Sequence, residues 1–212
     1  SGSDYFFDEG VFLGHTRLSI QDLSPAGAQP MKSESEKLVI TFNGEIYNFL
    51  TLKSDLEILG YVFSSNTDTE VIMYLYAEYG LDCFAMLDGI FALAIFDRIK
   101  NNLIVARDGM GIKPLYYYHD ETEFTFSSEI KAIERVLVEK NLTLQNSNIN
   151  RYLTFQWCPG EGTPFKEIKK QNPGEALVIK NGEIIDRKTF YELPIVRSPK
   201  KKTNVLVKDV EE

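Results

Sequence analysis

The segment Ile90-Phe91-Ala92-Leu93-Ala94-Ile95-Phe96 carries no polar side chain until Asp97 closes it. A strand sends alternate side chains to opposite faces, so a strand that is apolar throughout is covered on both. A chain containing it must fold in layers, with this strand in a sheet between two other packed surfaces. Asn101-Asn102 reads as a hairpin turn into a second strand, Leu103 to Arg107. Leu38 to Phe42 is another buried strand, and it stops abruptly at Asn43-Gly44-Glu45. Ala176 to Lys180 and Glu183 to Ile185 flank Asn181-Gly182, the strongest short hairpin signal in the chain. Val11 to Leu18 reads as a strand ending in polar side chains, and Leu115 to Tyr118 pairs with Phe124 to Ser127.

Helical spacing appears between these runs. Leu52, Leu56 and Leu59 predict a helix over 50–59 that stops at Gly60. Thr67-Asp68-Thr69-Glu70 is a capping box, with Thr67 as N-cap and Glu70 three residues on, opening a helix to Gly80. Short helices are expected at 81–87, 129–138 and 149–155. Ser1 to Asp8 has no clear period, and Asp22 to Met31, with Pro25, Gly27 and Pro30, reads as loop. Runs of strands interrupted by helices predict one α+β layered domain.

Composition narrows the function classes. The chain has 212 residues and a net charge of −8, from 31 acidic and 23 basic residues. Neutralising phosphates requires clustered Lys and Arg, so nucleic acid is not an expected partner. The basic run Lys200-Lys201-Lys202 lies in a polar stretch that reads as linker. No run approaches ~18 apolar residues, so no membrane span is expected. Two cysteines, Cys83 and Cys158, make no disulfide framework and suit a reducing, cytoplasmic setting. Two histidines and two cysteines at scattered spacings form no metal set.

The end of the Leu38–Phe42 strand holds the first chemical clue. An amide at Asn43 beside an unhindered backbone N–H at Gly44 is the hardware of an oxyanion hole. The plain alternative is an Asn-Gly turn. Five blocks then occur in order: 14–20 (Gly-His-Thr-Arg-Leu-Ser-Ile), 42–48 (Phe-Asn-Gly-Glu-Ile-Tyr-Asn), 67–70, 107–117 (Arg-Asp-Gly-Met-Gly-Ile-Lys-Pro-Leu-Tyr-Tyr) and 126–132. Together they resemble the glutaminase domain of glutamine-hydrolysing asparagine synthetases, in the class II (N-terminal-nucleophile) glutamine amidotransferase family. The match covers about residues 8 to 193.

The resemblance implies a four-layer α-β-β-α sandwich of the N-terminal-nucleophile hydrolase type. It implies hydrolysis of L-glutamine to glutamate and ammonia, the ammonia passing to an ATP-dependent domain that makes asparagine from aspartate. By the same resemblance Arg17 takes the α-carboxylate of glutamine, with Leu18, Ser19 and Ile20 beside it. Asp68 takes the α-ammonium, Asn43 and Gly44 form the oxyanion hole, and Glu45 lines the site. A guanidinium fork suits a carboxylate. Asp68 is also a residue type favoured in the first turn of any helix, and Glu45 could equally be a salt-bridge partner. His15 is expected to be structural, and Arg107-Asp108 to be an ion pair that shapes a loop.

The resemblance also implies a nucleophile that is not in this chain: an N-terminal cysteine whose α-amine acts as base. The chain starts Ser1-Gly2-Ser3, and neither Cys83 nor Cys158 can supply an α-amine. Residues 1–194 are therefore expected to be a glutaminase domain lacking its N-terminal segment, and 195–212 a linker toward an absent C-terminal synthetase domain. On this expectation the domain binds no cofactor, ATP and Mg belong to the absent domain, and the chain alone is inactive. A homodimer stays open. Three explanations of the missing cysteine compete: a piece of a longer protein, a homologue that lost the nucleophile as beta-lactam synthetases did, or an N-terminal segment from a separate chain.

Overall fold

A computed structural model describes residues 2–8, 10–17 and 27–194, with the backbone alone at Arg17. In chain order the strands and helices are β1 (Gly2–Asp8), β2 (Val11–Arg17), β3 (Met31–Lys32), β4 (Leu38–Ile46), α1 (Phe49–Ile58), α2 (Asp68–Tyr79), a 3-10 helix (Gly80–Met86), β5 (Gly89–Asp97), β6 (Asn102–Arg107), β7 (Tyr116–His119), β8 (Phe124–Ser127), α3 (Ile130–Val136), α4 (Asn146–Phe155), β9 (Ile168–Lys170), β10 (Glu175–Lys180) and β11 (Glu183–Thr189). The doubly apolar segment is β5, inside a six-stranded sheet ordered β11-β10-β6-β5-β4-β3.

Both of its faces are covered, as its composition requires. Phe91, Leu93 and Ile95 join Leu52 and Leu56 of α1 and Val71, Ile72 and Leu75 of α2 in one core. Ala92, Ala94 and Phe96 join Leu13 of β2, Tyr117 of β7 and Leu177 of β10 in a second core between sheets. The three-stranded sheet β8-β7-β9 and the β1-β2 hairpin form that second layer. Tyr118 and Ile168 on its far side pack against Ile133 of α3. The order is helix, sheet, sheet, helix, so the expected four-layer α-β-β-α sandwich is what the chain builds.

Local chemistry departs from expectation in a few places. β1 forms where no period was visible, because its aromatics are split: Phe6 packs inward while Tyr5 and Phe7 stay exposed. Leu59 is exposed rather than core, since it caps α1 beyond the buried Leu52 and Leu56. The capping box is half formed. Thr67 accepts from the Glu70 N–H at 3.3 Å, but the buried Glu70 carboxylate turns to the preceding loop. It accepts the N–H and hydroxyl of Ser64, each at 2.9 Å, and those of Ser65 at 2.7 and 2.6 Å.

Candidate active site

β4 does not end at Phe42. Pairing with β5 continues through Asn43↔Ala92, Gly44↔Phe91, Glu45↔Ile90 and Ile46↔Gly89. The expected break is a continuation, and Asn43-Gly44 is not a turn. Two glycines make this possible. A Cβ on Gly44 would lie 2.1 Å from the Ile90 carbonyl oxygen, and one on Gly89 would lie 2.3 Å from that of Glu45. Polar residues are tolerated here because β3 pairs only with Val39 and Ile40, and among the described residues no other strand lies on that side of β4.

Side chains take over along the bare edge. The Phe42 N–H donates to Gln29 Oε1 at 2.6 Å, and the Ile46 N–H donates to Asp68 Oδ2 at 3.1 Å. In an antiparallel strand, alternate N–H groups point to the same side. The Gly44 N–H therefore faces this edge, midway between the Gln29 and Asp68 contacts. Phe91 across the pair agrees: its N–H donates to Asp108 Oδ2 at 3.2 Å, and its carbonyl accepts from the Asp108 N–H at 2.8 Å. Its polar groups point away from Gly44.

Side-chain alternation places Asn43 and Glu45 on the same face as Val39, which packs between the sheets. Past the packed core that face opens into a cleft of about 1470 Å³. Asn43, Gly44, Glu45 and Asp68 all line it, with Gly14, His15 and Thr16 of β2, Gln29, and Ser127 and Ser128 after β8. Asp68 is the first residue of α2 and only 5% exposed. Burial pushes its carboxyl pKa up. The N–H groups of Ile46 and Thr69 pull it back, and the charge of Glu45 pushes it up again. The result is a carboxylate held by the fold in a place that favours a cationic neighbour.

Four of the expected site residues thus share one cleft. Arg17 is placed only by its backbone, paired with Gly2 at the end of β2, two residues past the cleft-lining His15. Leu18, Ser19 and Ile20 lie outside the described residues. Cys83 is fully buried in the helix-side core, where burial pushes its thiol pKa up. Cys158 donates to the Asn148 carbonyl at 3.2 Å. Neither lines the cleft.

Arg107 and Asp108 shape the following loop, but not as an ion pair. Each serves the backbone. The Arg107 guanidinium donates to the carbonyls of Gly111, Lys113 and Gln171 at 2.6, 2.7 and 2.7 Å. Asp108 accepts the N–H groups of Met110, Ile112 and Lys113 at 3.0, 2.9 and 3.0 Å, in addition to that of Phe91. Sequence reasoning missed Gln29 and Gly89. A side chain that caps a strand edge leaves no local pattern, and Gly89 reads only as half of an Asp-Gly turn. Among the described residues, no three His, Cys, Asp or Glu gather as a metal site. No described helix is long and apolar enough to cross a membrane.

Comparison with known proteins puts this cleft in context. A family profile described as the glutamine amidotransferase domain matches residues 1–191. A Bacillus subtilis glutamine-hydrolysing asparagine synthetase is 37% identical over 188 residues, covering 89% of this chain and 29% of that protein. A putative glutamine-hydrolysing asparagine synthetase of Methanocaldococcus jannaschii is 35% identical, covering 88% of this chain and 41% of that protein. The chain therefore spans well under half the length of these relatives. Among solved structures, the B. subtilis glutamine phosphoribosylpyrophosphate amidotransferase superposes with a TM-score of 0.60 at 24% identity, covering 84% of this chain and 34% of that one. At that identity the likeness speaks for the fold alone.

Proposed function

The chain belongs to the glutamine amidotransferase domain family, and from that premise we propose that it is the glutamine-hydrolysing part of an asparagine synthetase. Glutamine lies in the cleft with its side-chain amide at the Asn43–Gly44 edge. Arg17 holds the α-carboxylate, flanked by Leu18, Ser19 and Ile20, and Asp68 holds the α-ammonium. A cysteine thiolate attacks the amide carbon, and the oxyanion that forms takes hydrogen bonds from the Asn43 carboxamide and the Gly44 N–H. Ammonia leaves, and water then hydrolyses the glutamyl thioester. No step in this domain uses a cofactor. ATP and Mg serve the synthesis of asparagine from aspartate in the rest of the protein, in a cytoplasmic setting.

The observation that carries this reading is the Gly44 N–H on an edge of β4 that no described strand covers, between Gln29 and the buried Asp68. The test is an assay of the full-length encoded polypeptide with glutamine, following glutamate and ammonia. Arg17→Ala should raise the glutamine KM about a hundredfold, the loss expected for a charged contact of about 2–3 kcal/mol. Ammonia-dependent synthesis should be spared. Equal loss of both activities would make Arg17 structural, and no glutamate from a polypeptide that starts with cysteine would overturn the reading.

The competing outcome is a scaffold that binds glutamine without hydrolysing it: heat of glutamine binding without turnover in the full-length protein would support it.

A further inference from the structure

α4 is a ten-residue helix that buries none of its side chains. A helix this short is marginal by itself in water and is normally held by packing its apolar side. That side exists: Ile149, Tyr152 and Leu153 follow helical spacing. Yet Tyr152 is 54% exposed, Leu153 73%, Phe155 58% and Trp157, just beyond the helix, 56%. An apolar cluster of this kind on a soluble surface marks an interaction site.

The fold shows what lies beside it. The turn after α4 is fastened to the strand beside it: the Lys170 N–H donates to the Glu161 carbonyl at 2.9 Å, and Lys170 Nζ donates to the Cys158 carbonyl at 2.6 Å while sitting 5.1 Å from the Trp157 ring centroid. Asn172 Nδ2 donates to Glu161 Oε1 at 2.8 Å. Two residues on, the Gly174 carbonyl accepts the N–H groups of Phe190 and Tyr191 at 2.8 and 3.3 Å. The described chain ends there, with Tyr191 and Leu193 exposed. The apolar face of α4 and the point where the chain leaves the domain are thus joined through one short hydrogen-bonded stretch. The sequence continues past Pro194, and the Bacillus relative that matches this domain gives it only 29% of its length.

We propose that the exposed face of α4, with Trp157, is the surface on which the polypeptide following residue 194 docks back onto this domain, through an apolar patch of its own. The proposal rests on the reading of the chain as one part of a longer synthetase.

The test uses the full-length encoded polypeptide with a specific protease site inserted between Lys200 and Lys201. After cleavage, the two pieces of the wild type should co-migrate on gel filtration. Leu153→Glu/Trp157→Glu should separate them. Val62→Glu, at an exposed apolar position after α1, should not. In the uncut protein, amides 149–157 should exchange at least tenfold more slowly in the wild type than in the double variant, with β5 amides unchanged between the two as the check on folding. Wild-type pieces that separate, variant pieces that stay together, or equal exchange at 149–157 would each overturn the proposal. So would an encoded product that ends with this domain. A wild-type domain piece that dimerises through this face would assign it to a second copy instead. None of these readouts uses glutamine. Pieces that stay together in a protein without glutaminase activity would therefore sink the functional reading and leave the docking surface standing.

Discussion

At the residue scale, Asp68 and Gly44 were legible in the sequence, but the reason for each was not. Asp68 reads as a helix-start acid, and the structure adds that it also seals the open edge of β4 through Ile46. Its folded pKa is raised, chiefly by burial. Between its unfolded and folded pKa values the native state binds more protons, so its contribution to stability is fullest in acid and is lost as pH rises through the folded value. The fold disfavours its charged form, as expected of a group whose cationic partner would be a ligand. Asp68→Asn should therefore leave stability unchanged or slightly higher, because an amide oxygen can still accept the Ile46 N–H. Glutamine affinity should fall about a hundredfold for a lost charged contact of about 2–3 kcal/mol. Wild-type affinity should weaken as pH falls through the Asp68 pKa, and that of Asp68→Asn should stay flat. Calorimetry across pH and thermal unfolding check both; parallel pH profiles would refute the assignment. Gly89 gives the complementary case. Gly89→Ala touches no ligand but drives a methyl group into the Glu45 carbonyl. It should cost kcat far more than KM, because it displaces the Asn43–Gly44 edge.

At the element scale, strands and helices were legible wherever one face is apolar, and their ends were not. β4 overran its expected stop because glycine pairing and edge capping, rather than hydrophobicity, carry Asn43 to Ile46. β1 was missed because its outward residues are aromatic like its inward ones, which erases the alternation. The Thr67–Glu70 box marked the start of α2 correctly, yet Glu70 serves Ser64 and Ser65. Glu70→Ala should thus behave as the loss of a buried acceptor rather than of a cap arm. It strands two backbone N–H groups and should cost about 2–4 kcal/mol, where a cap residue typically costs ~1 kcal/mol. Urea unfolding measures it; a loss at the cap value would restore the box reading. Asp108→Asn is the matching test in the loop after β6. An amide cannot accept all four N–H groups that Asp108 holds. The change should loosen residues 110–113 and, through Phe91, the strand opposite Gly44, and faster amide exchange at both places would report it.

At the scale of the whole molecule, the layered architecture followed from one segment, because a strand without a polar position leaves no alternative to burial on both faces. The cleft did not follow, since it arises where three distant elements, β2, β4 and the start of α2, meet beyond the packed core. The same central sheet predicts how the molecule comes apart. Strand β5 sends Ile95 into the helix-side core and Phe96 into the core between sheets. Neither core can be lost without exposing the other face of the same strand, so the two should open as one unit. Ile72→Ala, in the fully buried part of α2, should cost about 2–5 kcal/mol. Native-state hydrogen exchange of the full polypeptide should register that loss equally at the α2 amides and at Leu177 and Ile179 of β10, whose side chains pack in the core between sheets rather than against α2. If only the α2 amides speed up, the helix layer is a separate unit, and the cleft, which draws Asp68 from that layer and Asn43 from the sheet, could be dismantled without unfolding the rest.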